Sequence, residues 1–193
     1  MSFFNSRRSP IVARHGAVAT SQPLAAQSGL KIMMDGGNAV DAAVAAAATL
    51  NVVEPTSTGI GGDMFALIWD TVEKKVVALN GSGRSGSGAN VKELKDLGYS
   101  DFIPKEGEGC HFSVSVPGTV HGWETALTGY GRMSLNEVLK SAIHYALNGF
   151  GVSKIVSNGW ENGEEKLTYR PSGLELLPNG KAPRHGDYVK LPE

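Results

Sequence analysis

The sequence has no excess of charge of either sign and no long apolar run. Its 193 residues carry 18 lysines and arginines against 19 aspartates and glutamates, with no basic block. A nucleic-acid partner requires a basic patch, so none is predicted. The most apolar stretch, residues 42–53, is alanine-rich and contains Thr49 and Asn51. It falls short of the roughly 18 apolar residues that span a bilayer, so no membrane partner is predicted either.

Cysteine is nearly absent, since Cys110 is the one cysteine of the chain. It cannot form an internal disulfide, which is typical of a reducing compartment, and no cluster in the sequence marks it as a nucleophile. Near the N-terminus, Arg7 and Arg8 are followed by a short apolar piece, residues 10–13, which is too short for the core of a signal peptide. These features predict a cytoplasmic location.

The common catalytic and cofactor-binding patterns are missing as well. The five histidines are dispersed without metal-ligand spacing, and no serine lies at the centre of a Gly-x-Ser-x-Gly motif. The glycine loop 59–62 is not followed by Lys-Ser or Lys-Thr, and Met64 stands where a dinucleotide-binding motif ends in glycine. We therefore predict no metal and no cofactor. A nucleotide-binding module is the least favoured alternative, and it requires that ATP or NAD raise the melting temperature.

Small residues, in contrast, are abundant. Asn38, followed three residues later by Asp41, is a helix-start signal and predicts a helix over residues 39–50. Six of the seven residues from 42 to 48 are alanine, so a neighbouring element can approach this helix closely. A helix that is small and apolar on all sides is typically buried, so we place it inside a multilayer structure.

Apolar periodicity and turn signals predict the other elements. These are short strands within 11–19, a helix capped by Thr20 or Ser21 and ended at glycines 36–37, a hairpin of strands 64–69 and 75–79 in a sheet covered on both faces, a helix after the capping box at Ser134, and short extended pieces from Ser153 onward. Glu161, Glu164 and Glu165 are interpreted as a solvated charge run.

One residue is a candidate for ligand binding. Arg84 is a lone arginine among the glycines and serines of residues 81–86, directly after an apolar strand. A guanidinium held at a strand end can bind a carboxylate through two parallel hydrogen bonds. A solvated loop arginine is the alternative that the local sequence leaves open.

Five separated motifs together resemble the γ-glutamyltranspeptidase family. They are GGNAVDAAVAAA at 36–47, PTSTGIGGDMF at 55–65, SVPGTVHGW at 115–123, YGRMSL at 130–135 and ALNGF at 146–150. The resemblance runs in order from about Gly16 to Lys190 and so covers nearly the whole chain. Several motifs in consistent order are much more specific than one glycine loop.

The resemblance implies an α+β fold of the N-terminal-nucleophile (Ntn) hydrolase type, a four-layer αββα sandwich of which only part is present. Members of this family are precursors that cut themselves into a large and a small subunit. Their nucleophile is a threonine freed at the N-terminus of the small subunit, whose own α-amine serves as base. We expect residues 1–193 to form a single partial domain, the N-terminal portion of a large subunit. No catalytic residue is then expected in this chain, and the threonine would lie beyond Glu193.

The resemblance also bears on Arg84. Transpeptidases of this family hold the α-carboxylate of the γ-glutamyl group with a large-subunit arginine just after this hairpin. Aligned on ALNG at 78–81, Ser82 stands at the usual position of that arginine and Arg84 follows two residues later. This departure resembles a subgroup that grades into the cephalosporin acylases. Arg84 is therefore the predicted substrate-binding residue, and the acyl group remains open.

The function implied for the whole protein is that of an autoprocessed γ-glutamyltransferase or hydrolase. It would act on glutathione and other γ-glutamyl amides through an acyl-enzyme, with a small subunit from the same precursor as its partner. The first alternative is a cephalosporin or glutaryl acylase-like amidohydrolase. The second is an inactive scaffold fragment that lacks the nucleophile.

Overall fold

The computed structural model of the chain describes residues 9–104, 108–169 and 171–190. Its helices are α1 Pro23–Met34, α2 Ala39–Val53, α3 Val91–Asp96, α4 Thr119–Tyr130, α5 Leu135–Val138, α6 Lys140–Asn148, α7 Lys154–Thr168 and α8 Pro171–Leu174. Its strands are β1 Met64–Asp70, β2 Lys75–Gly81, β3 Phe150–Gly151 and β4 Tyr188–Val189, and short 3-10 turns cover Cys110–Ser113 and Pro178–Gly180.

Helix α2 is the centre of the structure. Its predicted start is confirmed, because the Asn38 side chain accepts hydrogen bonds from the backbone N–H groups of Val40 and Asp41, and the Asp41 carboxylate accepts one from the Asn38 N–H. The small side chains allow the predicted close approach. A Cβ on Gly29 of α1 would lie 3.0 Å from the carbonyl oxygen of Ala42. Helix α2 is buried along most of its length and also packs against α4, α5 and α6.

Helix α1 begins differently from the prediction. Its N-cap is Gln22, whose side-chain oxygen accepts from the Leu24 N–H, rather than Thr20 or Ser21. Those two residues make other hydrogen bonds instead. Thr20 donates to the Gln22 carbonyl, and Ser21 donates to Glu54 at the end of α2. A buried Gln22 side chain therefore replaces the shorter hydroxyl caps that the sequence favoured.

The predicted hairpin is confirmed, with β1 and β2 antiparallel from Met64 opposite Gly81 to Asp70 opposite Lys75. The prediction that both sheet faces are covered is wrong for the described residues. Met64, Ala66 and Ile68 are half-buried on one face, whereas Phe65, Leu67 and Trp69 are exposed on the other. Helix α4 packs on both strands, and the described residues leave the face of Phe65, Leu67 and Trp69 largely exposed.

Residues 11–19 form no strand in the structure, against the prediction from their β-branched sequence. A strand requires a neighbour that supplies ladder hydrogen bonds, and no described strand pairs with this segment. It lies almost entirely exposed, with Ile11 at 86% and Val12 at 98%. The strand propensity of these residues alone was therefore insufficient to form a strand.

The prediction of short extended pieces after Ser153 is also wrong, because residues 154–168 form helix α7. The Ser153 side chain caps it, and Val156 and Trp160 recur at helical spacing on its buried face. Glycine inside a helix costs about 1 kcal/mol relative to alanine, so Gly159 and Gly163 concealed this pattern. Packing of Trp160 in a second core overrides that cost.

This second core lies at the C-terminal side of the described chain. It consists of Val53, Phe150, Val152, Val156, Trp160, Leu177 and Val189, all buried. The Trp160 ring stacks on Phe150 at a centroid distance of 6.5 Å, and its Nε1–H donates to the Leu176 carbonyl at 2.7 Å. Val53 ends α2, so the central helix contributes to this core. Alanines of α2 belong to the first core, which also contains Trp123, Leu127 and Val138. The arrangement is a mixed helix-and-strand fold, and no helix within the described ranges combines the length and apolarity needed to cross a bilayer.

Candidate functional site

Three loops meet at the end of the hairpin opposite the turn that joins β1 to β2, and we refer to them as the three-loop junction. They are residues 59–63 before β1, residues 81–85 from the last residue of β2 onward, and residues 115–119 up to the first residue of α4. The carbonyl of Gly62 accepts hydrogen bonds from the N–H groups of Gly118 and Thr119, both at 3.1 Å. The glycine loop thus contacts the start of α4 through its backbone.

Glycine is required in the junction because the backbones nearly touch. A Cβ on Gly83 would lie 1.4 Å from the carbonyl oxygen of Val116, and one on Gly118 would lie 2.3 Å from that of Gly81. Real Cβ atoms do not approach backbone atoms so closely. These two glycines therefore bring the loop after β2 against the loop before α4.

Arg84 lies in this junction with a fixed backbone and an exposed side chain. Its carbonyl oxygen accepts from the Val116 N–H at 2.8 Å, and the next residue, Ser85, forms a β-bridge with Ser115. Within the described residues, no hydrogen bond or ion pair is made by its guanidinium. A guanidinium with five donors and no protein acceptor can bind a carboxylate supplied by a ligand.

The junction is braced by a carboxylate that the sequence reading missed. Oδ1 of Asp63 accepts from the Gly83 N–H at 3.1 Å and from the Ser115 Oγ–H at 2.8 Å. The partners lie 20 and 52 residues further along the chain, so no local pattern reveals them. The one available signal was an aspartate directly after a glycine run.

A separate groove of about 860 Å³ lies between α2, β1 and α4. Small and apolar side chains such as Val40, Ala43, Ile68 and Trp123 line it, together with Arg132. Arg84 is not among its lining residues, so the structure does not bring the predicted ligand-binding residue to this groove. The apolar lining continues along β1 and is typical of a packing surface.

The other titratable residues form no catalytic constellation in the described ranges. His144 contacts Asn148 on the surface of α6, with Nδ1 to Nδ2 at 3.1 Å. Glu164, interpreted as part of a solvated charge run, instead accepts a hydrogen bond from the Ala182 N–H at 2.8 Å. No group of three or more potential metal ligands is assembled within those same ranges.

One carboxylate outside the junction, that of Glu137, has a lowered pKa. The hydroxyl of Ser134 donates to Glu137 at 2.7 Å and its backbone N–H donates to the same oxygen at 2.8 Å. These hydrogen bonds lower the pKa of Glu137, with a smaller contribution from the charge of Lys140. The pair is the predicted capping box that begins α5, so this carboxylate serves the helix start and not a reaction.

The family model described as gamma-glutamyltranspeptidase matches residues 25–193. The chain therefore belongs to the γ-glutamyltranspeptidase family. It is 41% identical over 178 residues to the glutathione hydrolase-like YwrD proenzyme of Bacillus subtilis, covering 92% of this chain and 33% of that protein. It thus spans about a third of that relative and corresponds to the N-terminal part of such proteins.

Solved structures of related proteins are similar in fold. The γ-glutamyltranspeptidase of Helicobacter pylori superposes with a TM-score of 0.84 at 30% identity, over 95% of this chain and 52% of that one. The cephalosporin acylase of Bacillus halodurans gives a TM-score of 0.79 at 37% identity, over 98% of this chain and 37% of that one. Both activities anticipated from the sequence are thus represented among its relatives.

Proposed function

We propose that the whole protein is an autoprocessed γ-glutamyltransferase or hydrolase, which cleaves glutathione and other γ-glutamyl amides. The observation that carries this proposal is Arg84, whose backbone is fixed in the three-loop junction while its guanidinium has no acceptor among the described residues. A guanidinium that has no protein acceptor is suited to the α-carboxylate of a γ-glutamyl group. Arg84 is then the substrate-binding residue.

The chemical step follows from the family resemblance. A threonine freed at the start of the small subunit attacks the γ-carbonyl carbon with its Oγ, and its α-amine takes the hydroxyl proton. The amide C–N bond breaks, the leaving amine receives that proton, and an acyl-enzyme forms. Water or an acceptor amine then releases the γ-glutamyl group. The chain described above contributes substrate binding and scaffold, and by itself it is expected to be inactive.

The fold and partner proposed for the whole protein also follow the family. Phe65, Leu67 and Trp69 form an apolar sheet face that is exposed in the described residues. In a four-layer αββα sandwich, the second sheet covers this face, and the precursor's own remaining segments, including the small subunit, supply it. Residues 1–193 would then be a single partial domain. The cytoplasmic location stays a prediction from the sequence.

The activity is tested with two chromogenic amides and the whole protein. γ-Glutamyl p-nitroanilide carries an α-carboxylate and an α-amine, whereas glutaryl p-nitroanilide keeps the corresponding carboxylate and lacks only the amine. We expect hydrolysis of the first, with Arg84→Ala raising its KM and the KM for any glutaryl hydrolysis, because both acyl groups carry the carboxylate. The KM for any hydrolysis of butanoyl p-nitroanilide, which has the same chain without a carboxylate or an amine, should stay unchanged. Arg84→Lys, which keeps the charge but loses the paired donors, should restore part of the affinity.

The acylase-like amidohydrolase is the second candidate, and the 37% identity to the Bacillus halodurans acylase favours it. Hydrolysis of the glutaryl amide without hydrolysis of the γ-glutamyl amide would establish that candidate instead. The scaffold alternative has its own test, because turnover by residues 1–193 alone would contradict a missing nucleophile. An unchanged KM in Arg84→Ala would remove Arg84 from the site.

A further inference from the structure

Asp63 contacts both segments that hold Arg84 in place. Its Oδ1 accepts from the N–H of Gly83, the residue directly before Arg84, at 3.1 Å. The same oxygen accepts from the hydroxyl of Ser115 at 2.8 Å. Ser115 forms the β-bridge with Ser85, the residue directly after Arg84. One carboxylate oxygen therefore fixes the backbone on both sides of the arginine.

These hydrogen bonds act on geometry more than on overall stability. Asp63 is exposed, so its bonds compete with water and their net contribution to folding is small. The junction is nevertheless tight, because Gly83 lies against Val116, whose N–H holds the Arg84 carbonyl. Loss of the Asp63 hydrogen bonds should therefore shift the backbone at residue 83, and with it the position from which the Arg84 side chain extends.

Asp63 does not neutralise the arginine that it flanks. The described residues contain no ion pair between the Asp63 carboxylate and the Arg84 guanidinium. The oxygen that is engaged accepts from neutral donors, an amide and a hydroxyl. Asp63 can therefore hold the loop while the guanidinium remains available for a carboxylate of the substrate.

We propose that Asp63 is a positioning residue for substrate recognition, which orients the Arg84 guanidinium by bridging the loops 81–85 and 115–119. The proposal rests on the proposed function of Arg84 as the carboxylate-binding residue. Asp63 does not touch the reacting atoms. Its loss should weaken binding of substrates that carry an α-carboxylate and leave the turnover number nearly unchanged.

The first measurement compares variants of the whole protein with the two p-nitroanilides. Asp63→Ala should raise the KM for the γ-glutamyl amide about tenfold, since small misplacements of a binding group have effects of at least this size. Asp63→Asn keeps an oxygen acceptor and should retain most of the affinity. Ser115→Ala removes one of the two bonds and should have a smaller effect than Asp63→Ala.

Asp70 provides a matched control at the other end of the hairpin. Its Oδ1 likewise accepts two hydrogen bonds, in this case both from backbone N–H groups, those of Val72 and Glu73 at 2.9 and 3.1 Å. Asp70→Ala removes an equivalent pair of bonds but lies away from the junction. It should leave the KM unchanged.

A second measurement does not depend on activity. Hydrogen exchange of the backbone amides in residues 82–86 should accelerate in Asp63→Ala and remain unchanged in Asp70→Ala, because only the first variant frees the Gly83 N–H. Unchanged exchange in Asp63→Ala would overturn the bridge itself, whatever reaction the enzyme performs.

The outcomes separate this proposal from the proposed function. If Arg84→Ala raises the KM and Asp63→Ala does not, Asp63 has no positioning role and the function stands. If neither variant changes the KM while exchange accelerates, Arg84 is not the binding residue and the positioning role of Asp63 fails with it. The proposed function fails separately, if the parent protein does not hydrolyse the γ-glutamyl amide. In the double variant, Asp63→Ala should add nothing to Arg84→Ala, and multiplicative effects would show that the two residues act independently.

Discussion

The carboxylate of Asp41 at the start of α2 holds the backbone of Arg132, ninety-one residues further along the chain. The Arg132 N–H lies 2.9 Å from Oδ1 and 3.1 Å from Oδ2, and Asp41 is fully buried. The same carboxylate accepts from the Met133 N–H at 3.1 Å and from the Asn38 N–H at 2.7 Å. Asp41 therefore joins the first turn of α2 to the loop between α4 and α5.

Replacing Asp41 with alanine should destabilise the protein strongly. The substitution leaves the N–H groups of Asn38, Arg132 and Met133 without their charged acceptor, and it removes a negative charge from a helix N-terminus. We expect a loss of about 3 kcal/mol in the free energy of unfolding. Urea unfolding of the purified protein measures it.

Asp35 is the control for that experiment. It forms an exposed ion pair with Lys31 at 2.8 Å, one helical turn away. Exposed pairs of this kind contribute about 0.5 kcal/mol or less, so Asp35→Ala should change stability little. Equal effects of the two substitutions would show that Asp41 is not an anchor between distant segments.

The two glycines 83 and 86 should respond differently to alanine. A Cβ on Gly83 meets the Val116 carbonyl at 1.4 Å, whereas nothing lies within 4 Å of a Cβ on Gly86. Gly83→Ala must separate the loops of the junction and should cost about 2 kcal/mol. Gly86→Ala, on the same loop, should stay within about 0.5 kcal/mol of the parent.

The Gly83→Ala and Gly86→Ala variants also test the proposed substrate-binding site at Arg84. Gly83→Ala should weaken binding of γ-glutamyl substrates along with stability, because the displaced loop carries Arg84. Gly86→Ala should preserve both properties. A stable Gly83→Ala protein with unchanged KM would mean that the close approach seen here is not part of the binding geometry.

Local sequence signals were sufficient for the elements whose structure depends on residues close together in the chain. The cap at Asn38, the antiparallel hairpin and the capping box at Ser134 each depend on neighbours within a few residues, and each was predicted correctly. Gly149 follows the last residue of α6 with φ +92, a backbone conformation that favours glycine. The helix after Ser134 is interrupted at Leu139, however, and forms α5 and α6 instead of one element.

Tertiary contacts decided the elements that the sequence concealed. Helix α7 contains two glycines, and its stability comes from Trp160 packed in the second core. The segment 11–19 has strand-forming residues but no described partner strand. Arg84 could be selected as a candidate from its surroundings, whereas the Asp63 bridge joins residues far apart in sequence and required the fold.

The capping box gives a prediction about pH. Hydrogen bonds from Ser134 lower the pKa of Glu137, so the ionised form stabilises the folded state. That contribution is present above the unfolded-state pKa and is lost as the pH falls through the lower folded-state pKa. Ser134→Ala should raise the pKa of Glu137 toward its ordinary value, as measured by NMR titration of its side-chain carboxyl carbon.

Stability measurements provide the complementary test of Glu137. Glu137→Gln cannot ionise, so the parent should exceed it in stability at neutral pH, and the difference should shrink as Glu137 is protonated in the parent. A difference that stays constant down to strongly acid pH would assign the effect to side-chain shape and not to charge.

The exposed face of the hairpin supports the last prediction. Leu67 on β1 is 79% exposed and Val72 at the hairpin turn is 85% exposed, so the described residues alone make aspartate tolerable at either position. If a second sheet covers the hairpin in the whole protein, Leu67→Asp buries an unpaired charge and should prevent folding or processing of the precursor, whereas Val72→Asp should not. Gel analysis of precursor and cleaved subunits measures this difference. Normal processing of Leu67→Asp would mean that the face remains open to solvent, because an unpaired aspartate cannot be accommodated between two packed apolar sheets.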